Sequence, residues 1–400
     1  MRTIGPSRDV APFVVALFAA AVFALLPIST DLYLPSLPGL RRDLGISDAQ
    51  SQLTLSAFVI GFGIAQLVYG PLSDRFGRRP VLLGGILVYI AASLICVASP
   101  SIYVLVLGRA VQGVGACSGQ VMARAIVRDL YEPRQGARVL AVMTYLFALI
   151  PLCAPIIGGH LTVWFNWRAN FAFLASFAVL ILFITWRKLD ETNLHPDESA
   201  TRAGRFIANA RTILANRTFV GYGLVYVATY CALFSYLSTS SFILLDVLGV
   251  RPEHFGYWFM LGVGGNILGA FACAPLTHRI ALPRLLVAGA SLSFAGGVLM
   301  FTLAWHGVAH PAAIMLPMML YMIGHGIVTP VCLAAAVGPF PKMAGTASAL
   351  LGFSQFAFAA IAGQIAIRML DGTTLPLGIA VAVFATCVLV SALSVARIPG

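Results

Sequence analysis

Twelve apolar runs, separated mostly by short polar connections, limit what this 400-residue chain can become more than any other feature. A helix crosses a hydrocarbon core of about 30 Å with about 20 residues. Runs of that order occupy residues 11–37, 51–70, 80–99, 102–124, 137–159, 167–188, 218–245, 255–276, 284–305, 311–334, 344–367 and 374–395. They are continuous and do not alternate polar with apolar residues, so they predict helices and not the strands of a membrane barrel. Composition agrees: 10% of residues are charged and 60% hydrophobic, whereas a soluble protein carries about 25% charged residues. The expected fold is an all-α integral membrane protein. Arg2 and Arg8 ahead of the first run resemble a secretory signal. The length of that run and the many spans after it predict an uncleaved first helix instead.

Charge sets orientation. With both termini inside, nineteen of the 25 Lys and Arg residues fall on the cytoplasmic side. Only Arg41, Arg42, Arg168, Arg251 and Arg368 fall outside, and Arg109 alone lies within a span. Basic loops stay in the cytoplasm, so the net charge of +11 is assigned to topology and anionic lipid, not to nucleic acid. The longest polar stretch, Arg187 to Arg217, separates two sets of six spans. The expected organisation is a cytoplasmic N-terminus (1–10), a first six-helix bundle (11–188), a linker (189–217), a second bundle (218–395) and a cytoplasmic C-terminus (396–400). Within the linker, Phe206, Ile207, Ala210, Ile213 and Leu214 recur at helical spacing beside Arg202, Arg205 and Arg211. That pattern reads as an amphipathic helix on the inner leaflet, or as a plain connector.

The two bundles look like copies. GPLSDRFGRRPVLLGG, Gly70 to Gly85, aligns with APLTHRIALPRLLVAG, Ala274 to Gly289, and each copy lies between two apolar spans. Duplicated halves are a transporter signature. The predicted architecture is therefore two six-helix bundles related by a pseudo-two-fold axis.

A charged side chain at mid-span costs at least about 2.5–3.5 kcal/mol, so one retained there is a functional candidate. Asp31 and Arg109 are the two, each on the order of 10 Å below the outer surface. Equal depth permits pairing, directly or through water. Asp31 is then a proton carrier and Arg109 its modulator; a static ion pair and a hydrated acid at the outer mouth remain open. Pro27, Asp31 and Pro35 are spaced i, i+4, i+8. The carbonyls those prolines free are tolerable where a helix lines a cavity or packs on protein, so that face of span one is placed inward, with Tyr33 beside it. On span four, Gln112, Ala116 and Gln120 share the face of Arg109 and predict a polar cavity stripe or a packing seam. Tyr222, Tyr226, Tyr230 and Phe234 on span seven predict an aromatic wall for a lipophilic substrate, or lipid-facing rings. His325 is the histidine deep in a run, either titrating or a hydrogen-bonded core residue. On span five, Pro151 and Pro155 predict a bend, and Gly158 and Gly159 a close helix approach.

No protease, hydrolase, Walker or dinucleotide-binding motif is present, and the cysteines are scattered singly without a CxxC pair. An enzyme is not expected.

These motifs resemble those of a known family. GPLSDRFGRRP is similar to the loop 2–3 signature of the major facilitator superfamily. LGRAVQG, Leu107 to Gly113, resembles its span-four motif, and PLCAPIIGG, Pro151 to Gly159, the span-five motif of its drug exporters. STDLYLPSLP, Ser29 to Pro38, with GTASALLGF in span eleven, is similar to the bicyclomycin-resistance (Bcr/CflA) branch of drug:proton antiporters. Ala154 stands where the span-five pattern has glycine, and His278 stands in the second loop copy where the first has Asp74. The resemblance implies alternating access in the bacterial inner membrane, with lipophilic small molecules leaving in exchange for protons. It implies a monomer whose partners are substrate, protons and lipid, with the proton gradient as energy source and no cofactor. A metabolite facilitator is the alternative. The cytoplasmic gate is expected at Gly70, Asp74, Arg75, Gly77, Arg78 and Arg79, with Asp74 latching onto the N-terminus of span eleven near Gly345, where the helix dipole favours a carboxylate.

Overall fold

Prolines and glycines decide where these helices start and stop. The computed structural model describes residues 4–5, 11–198, 200–201 and 203–397, without the side chains of 203 and 205. Arg2, Arg8, Arg202 and most of the two expected terminal segments lie outside the described residues. The first span is built from α1 (Pro12–Phe23), α2 (Leu25–Asp31) and α3 (Leu37–Leu44), with a 3-10 turn over Leu34–Ser36. It bends by 45° after Phe23. Pro27 has no N–H to give the carbonyl of Phe23 one turn back, which places the break there. Gly45, at φ 62°, ends α3 in the left-handed region.

The remaining helices of the first half are α4 (Asp48–Phe76), α5 (Arg78–Ala98), α6 (Ile102–Leu130), α7 (Pro133–Ala148), α8 (Ile150–Trp164) and α9 (Trp167–Lys188). Ser47 and Gln50 form a capping box that starts α4. α7 and α8 are one span interrupted at Leu149, where Pro151 removes the donor for Phe147. The linker carries α10 (Ala203–Leu214). The second half contains α11 (Arg217–Ser241), continued by a π-helix over Phe242–Val247, then α12 (Pro252–Leu276), α13 (Leu282–Trp305), α14 (Ala312–Val337), α15 (Ala344–Arg368) and α16 (Leu375–Val395). Among the described residues, eleven helices are long and apolar enough to span a membrane, and the bent pair at the start makes twelve. This is a multi-pass membrane protein.

Both halves close on the same glycine contacts. A Cβ at Gly61 would overlap the Ala110 carbonyl, and one at Gly265 the Met319 carbonyl. Gly85 faces Ser118 as Gly289 faces Ile327, and Gly115 lies on the backbone of Tyr89 as Gly324 lies on that of Ser293. The loop-motif offset of 204 residues thus recurs in α4 against α12 and α5 against α13. Within the repeat, Met318 occupies the place of Arg109, so only the first half carries the buried base.

Ile4 pairs with Leu189, which puts the start of the chain on the face that carries the linker; that face is called the linker face below, and its opposite the far face. α10 does not simply lie on a leaflet: its Ile213 is buried against Phe219, Phe340, Ala347 and Leu351 of the second half. Its Ile207 and Leu214 stay exposed.

Candidate functional site

At about 100° per residue, positions two apart on a helix point in nearly opposite directions. Ser29 and Tyr33 share one face of the α2 segment and Asp31 takes the other. Ser29 Oγ lies 2.6 Å from Tyr89 Oη, and Tyr33 Oη 3.1 Å from Thr54 Oγ1, both inside the first half. Tyr230 and Tyr236 of α11 lie within electrostatic reach of the Asp31 carboxylate. Thr30 Oγ1 donates to Asp31 Oδ1 at 2.9 Å, and the residue is only 6% exposed.

Arg109 is elsewhere. Its guanidinium is fully buried within the first half, 4.3 Å from the Phe58 ring centroid, 5.1 Å from Tyr33 and 5.6 Å from Phe171. Nη1 donates to Gln112 Oε1 at 2.6 Å and Nε to the Thr54 carbonyl at 3.3 Å. Gln112 passes the chain on to Ser93 at 2.7 Å. The expected Asp31–Arg109 ion pair is therefore not formed, because the two share a depth and not a direction. Arg109 instead joins the segment after α2 to α4 and α9, through the rings of Tyr33, Phe58 and Phe171 and the Thr54 carbonyl.

The same direction argument corrects the cavity list. Tyr33, Gln112, Ala116 and Phe234 are core residues, each at most 1% exposed. His325 is buried within the second half, its Nδ1 3.2 Å from Asn266 Oδ1. Gln120, Tyr226 and Tyr230 keep partial exposure. Gln120 accepts from Gln66 at 2.9 Å, and Tyr230 meets Phe356 edge-on at 5.3 Å and Phe234 at 6.4 Å. These partly exposed side chains come from both halves.

On the far face the halves are closed. Arg41 pairs with Asp246 at 3.2 Å. Gln52 donates to Ser238 at 2.8 Å and accepts from Gln364, and Ser56 donates to the Ala360 carbonyl at 3.3 Å. Gly158 and Gly159 make the close approach expected of them: a Cβ on the first would overlap the Leu32 carbonyl, and on the second the Pro252 carbonyl of the other half. The seam glutamines and Asp246 were visible in the sequence as polar residues in or at the end of apolar runs. What they face was not.

The linker face is arranged differently. Asp74 pairs with Arg78 at 2.6 Å, and Arg78 reaches Asp129 at 2.9 Å. Arg75 donates to Thr201 at 2.8 Å and Arg79 to the Trp186 carbonyl at 2.9 Å. The expected contact of Asp74 with α15 is not made here; neither Gly70 nor Gly345 has a neighbour that a Cβ would touch. Arg75 ties α4 to the linker, Arg78 ties α5 to α4 and α6, and Arg79 ties α5 to α9. Glu191, which no motif or apolar run marks out, accepts the first N–H groups of α5, from Arg78 at 2.8 Å and Arg79 at 3.1 Å. Gly77 lets the carboxylate in, with φ at 95° and no room for a Cβ beside Glu191. Gly77→Ala is expected to cost about 1–3 kcal/mol, read as a lower unfolding temperature of the detergent-solubilised protein; an unchanged temperature would count against this cap.

The family described as Major Facilitator Superfamily matches residues 13–364. Multidrug resistance protein D of Escherichia coli (strain K12) is 31% identical over 336 residues, 84% of each chain. A bicyclomycin resistance protein homolog of Haemophilus influenzae is 28% identical over 384 residues, 96% of this chain and 95% of its own. Among solved structures, the human organic anion transporter MFSD10 superposes with a TM-score of 0.72 at 21% identity, covering 97% of this chain and 100% of the other. The xylose transporter XylE of E. coli, in an inward open conformation, gives 0.74 at 16%, covering 97% of both. At these identities the solved structures establish a shared fold.

Proposed function

Since the chain belongs to the major facilitator superfamily, we propose that it exports lipophilic small molecules across the bacterial inner membrane in exchange for protons. One observation carries this reading: Asp31, a buried acid at membrane depth, lies within electrostatic reach of Tyr230 and Tyr236 of the opposite half. An acid placed there feels any rearrangement of the seam, which is what coupling of protonation to conformation requires. The names of the relatives, multidrug resistance and bicyclomycin resistance, support a drug substrate. The distribution of basic residues supports a cytoplasmic linker face.

In this cycle the far-face contacts, Arg41–Asp246 and Gln52–Ser238, hold the outer side shut while substrate enters from the linker face. Asp31 gives its proton to the cytoplasm as substrate binds. The halves then rock, the far-face contacts part, and Asp74 reaches the N-terminus of α15 to close the linker face, an interaction worth about 0.3–1 kcal/mol when exposed. Substrate leaves outward and Asp31 is reprotonated there. A proton returning down 100 mV supplies about 2.3 kcal/mol, and each pH unit adds about 1.4. That supports a substrate gradient on the order of 10²-fold, so the proton gradient is a sufficient energy source. Each half supplies one wall of a single pathway, which a monomer surrounded by lipid completes.

The test is expression in a drug-hypersensitive bacterium. Raised resistance to a subset of lipophilic antibiotics, with no new growth on single sugars or amino acids, is the expected result. Growth on a nutrient without any protection would replace export with metabolite uptake.

A further inference from the structure

Arg124 ends the fourth apolar run and reads from sequence as a loop residue. The structure carries α6 on to Leu130, six residues further. At 1.5 Å per residue this sets Arg124 about 9 Å inside the linker-face end of its helix. Its guanidinium lies 5.2 Å from the centroid of Phe23, at the bend of the first span. Tyr226 of α11, in the other half, is within its electrostatic reach. Among the described residues no carboxylate pairs with it, although the other arginines deep in this half are held by amide, carbonyl or carboxylate partners. Arg124 is nonetheless solvent-accessible. Besides the Phe23 ring it has an unengaged charge on the side of Tyr226 of the other half, one turn from Gln120 on the same helix.

We propose that Arg124 is a substrate contact, and that the transporter selects amphiphiles carrying a carboxylate or comparable anionic group, which Arg124 receives on entry from the linker face. The proposal rests on the export reading and narrows its substrate class. Asp31 lies eight residues beyond Phe23 on the same span, a rise of about 12 Å along the helix, with Tyr226 within electrostatic reach of the base and Tyr230 of the acid. A guanidinium binds a carboxylate by charge-assisted, two-pronged hydrogen bonds. The aromatic wall accommodates the apolar remainder. Arriving with its negative end at Arg124, a substrate places its far end toward Asp31.

The experiment uses the full-length protein purified in detergent, with binding of 1-naphthylacetate and of its neutral amide followed by intrinsic tryptophan fluorescence. The wild type is expected to bind the carboxylate about tenfold or more tightly than the amide, from the strength of a charge-assisted bond. Arg124→Gln should bring the two within about twofold of each other, by weakening the carboxylate and leaving the amide unchanged. Arg124→Lys should keep part of the preference, because it keeps the charge without the fork. Retained preference in Arg124→Gln overturns the proposal. So does an equal loss for both probes, which would assign the arginine to packing, and so does a wild type without preference. Should Arg124→Gln fail to fold, Arg124→Lys decides: a preference undiminished from wild type also overturns it. The export reading is tested separately by pH-driven efflux from vesicles containing the wild type; absence of efflux sinks export without touching the binding result.

Discussion

Asp31→Asn is expected to reach the membrane at the wild-type level and confer no drug protection. In vesicles, an imposed pH gradient should no longer accumulate substrate, and the attainable gradient should fall from the order of 10²-fold to none. Downhill movement of substrate should persist. The amide keeps the volume of the carboxyl group and its bond from Thr30 while removing the exchangeable proton, so packing at the seam is preserved and coupling alone is lost. Asp31→Glu, with its proton kept on a longer stem, should retain measurable accumulation. Full protection by Asp31→Asn would remove this residue from energy coupling.

Gly159→Val is expected to impair transport by a different route. The Pro252 carbonyl of the second half occupies the space of its Cβ, so the variant cannot close the far face without displacing backbone. Overpacking of this kind costs about 1–3 kcal/mol, enough to shift a two-state equilibrium about 5–150-fold. Transport should drop at least about tenfold while Asp31 remains intact. A seam reporter shows the cause. Ser238 is fully buried and bonded to Gln52 across the seam, so Ser238→Cys should be shielded from a membrane-impermeant thiol reagent applied from the far face. With Gly159→Val added, labelling should accelerate several-fold. Unchanged labelling together with full transport would show that the close approach of α8 and α12 is dispensable.

How far the sequence carried these expectations follows from what one-dimensional patterns encode. Run length and loop charge are summed over many residues, so the twelve spans were legible. The break after Phe23 has its cause in Pro27, since a proline's missing donor acts one turn away, but a bend was expected only in span five. Depth along a span was legible too, and Asp31 and Arg109 do lie deep. Direction was not. A rotation of about 100° per residue separates a seam-facing side chain from a core-facing one, and only the packing of α4, α5 and α9 around α6 shows that Arg109 and Gln112 turn into the first half. Arg124 was hidden for the opposite reason: hydropathy ended the run there, while the helix continued to Leu130. Glu191 sits in an irregular segment whose path back to α5 is set by tertiary contacts and leaves no periodic trace.

The most direct test of a seam-facing proton carrier is proton release on substrate binding. Purified protein in weakly buffered detergent solution with a pH-sensitive dye is mixed with a substrate identified by the susceptibility panel. The wild type should release a proton to solution as the substrate binds, and Asp31→Asn should bind the same substrate with no release. Equal release from both proteins would contradict the role assigned to Asp31.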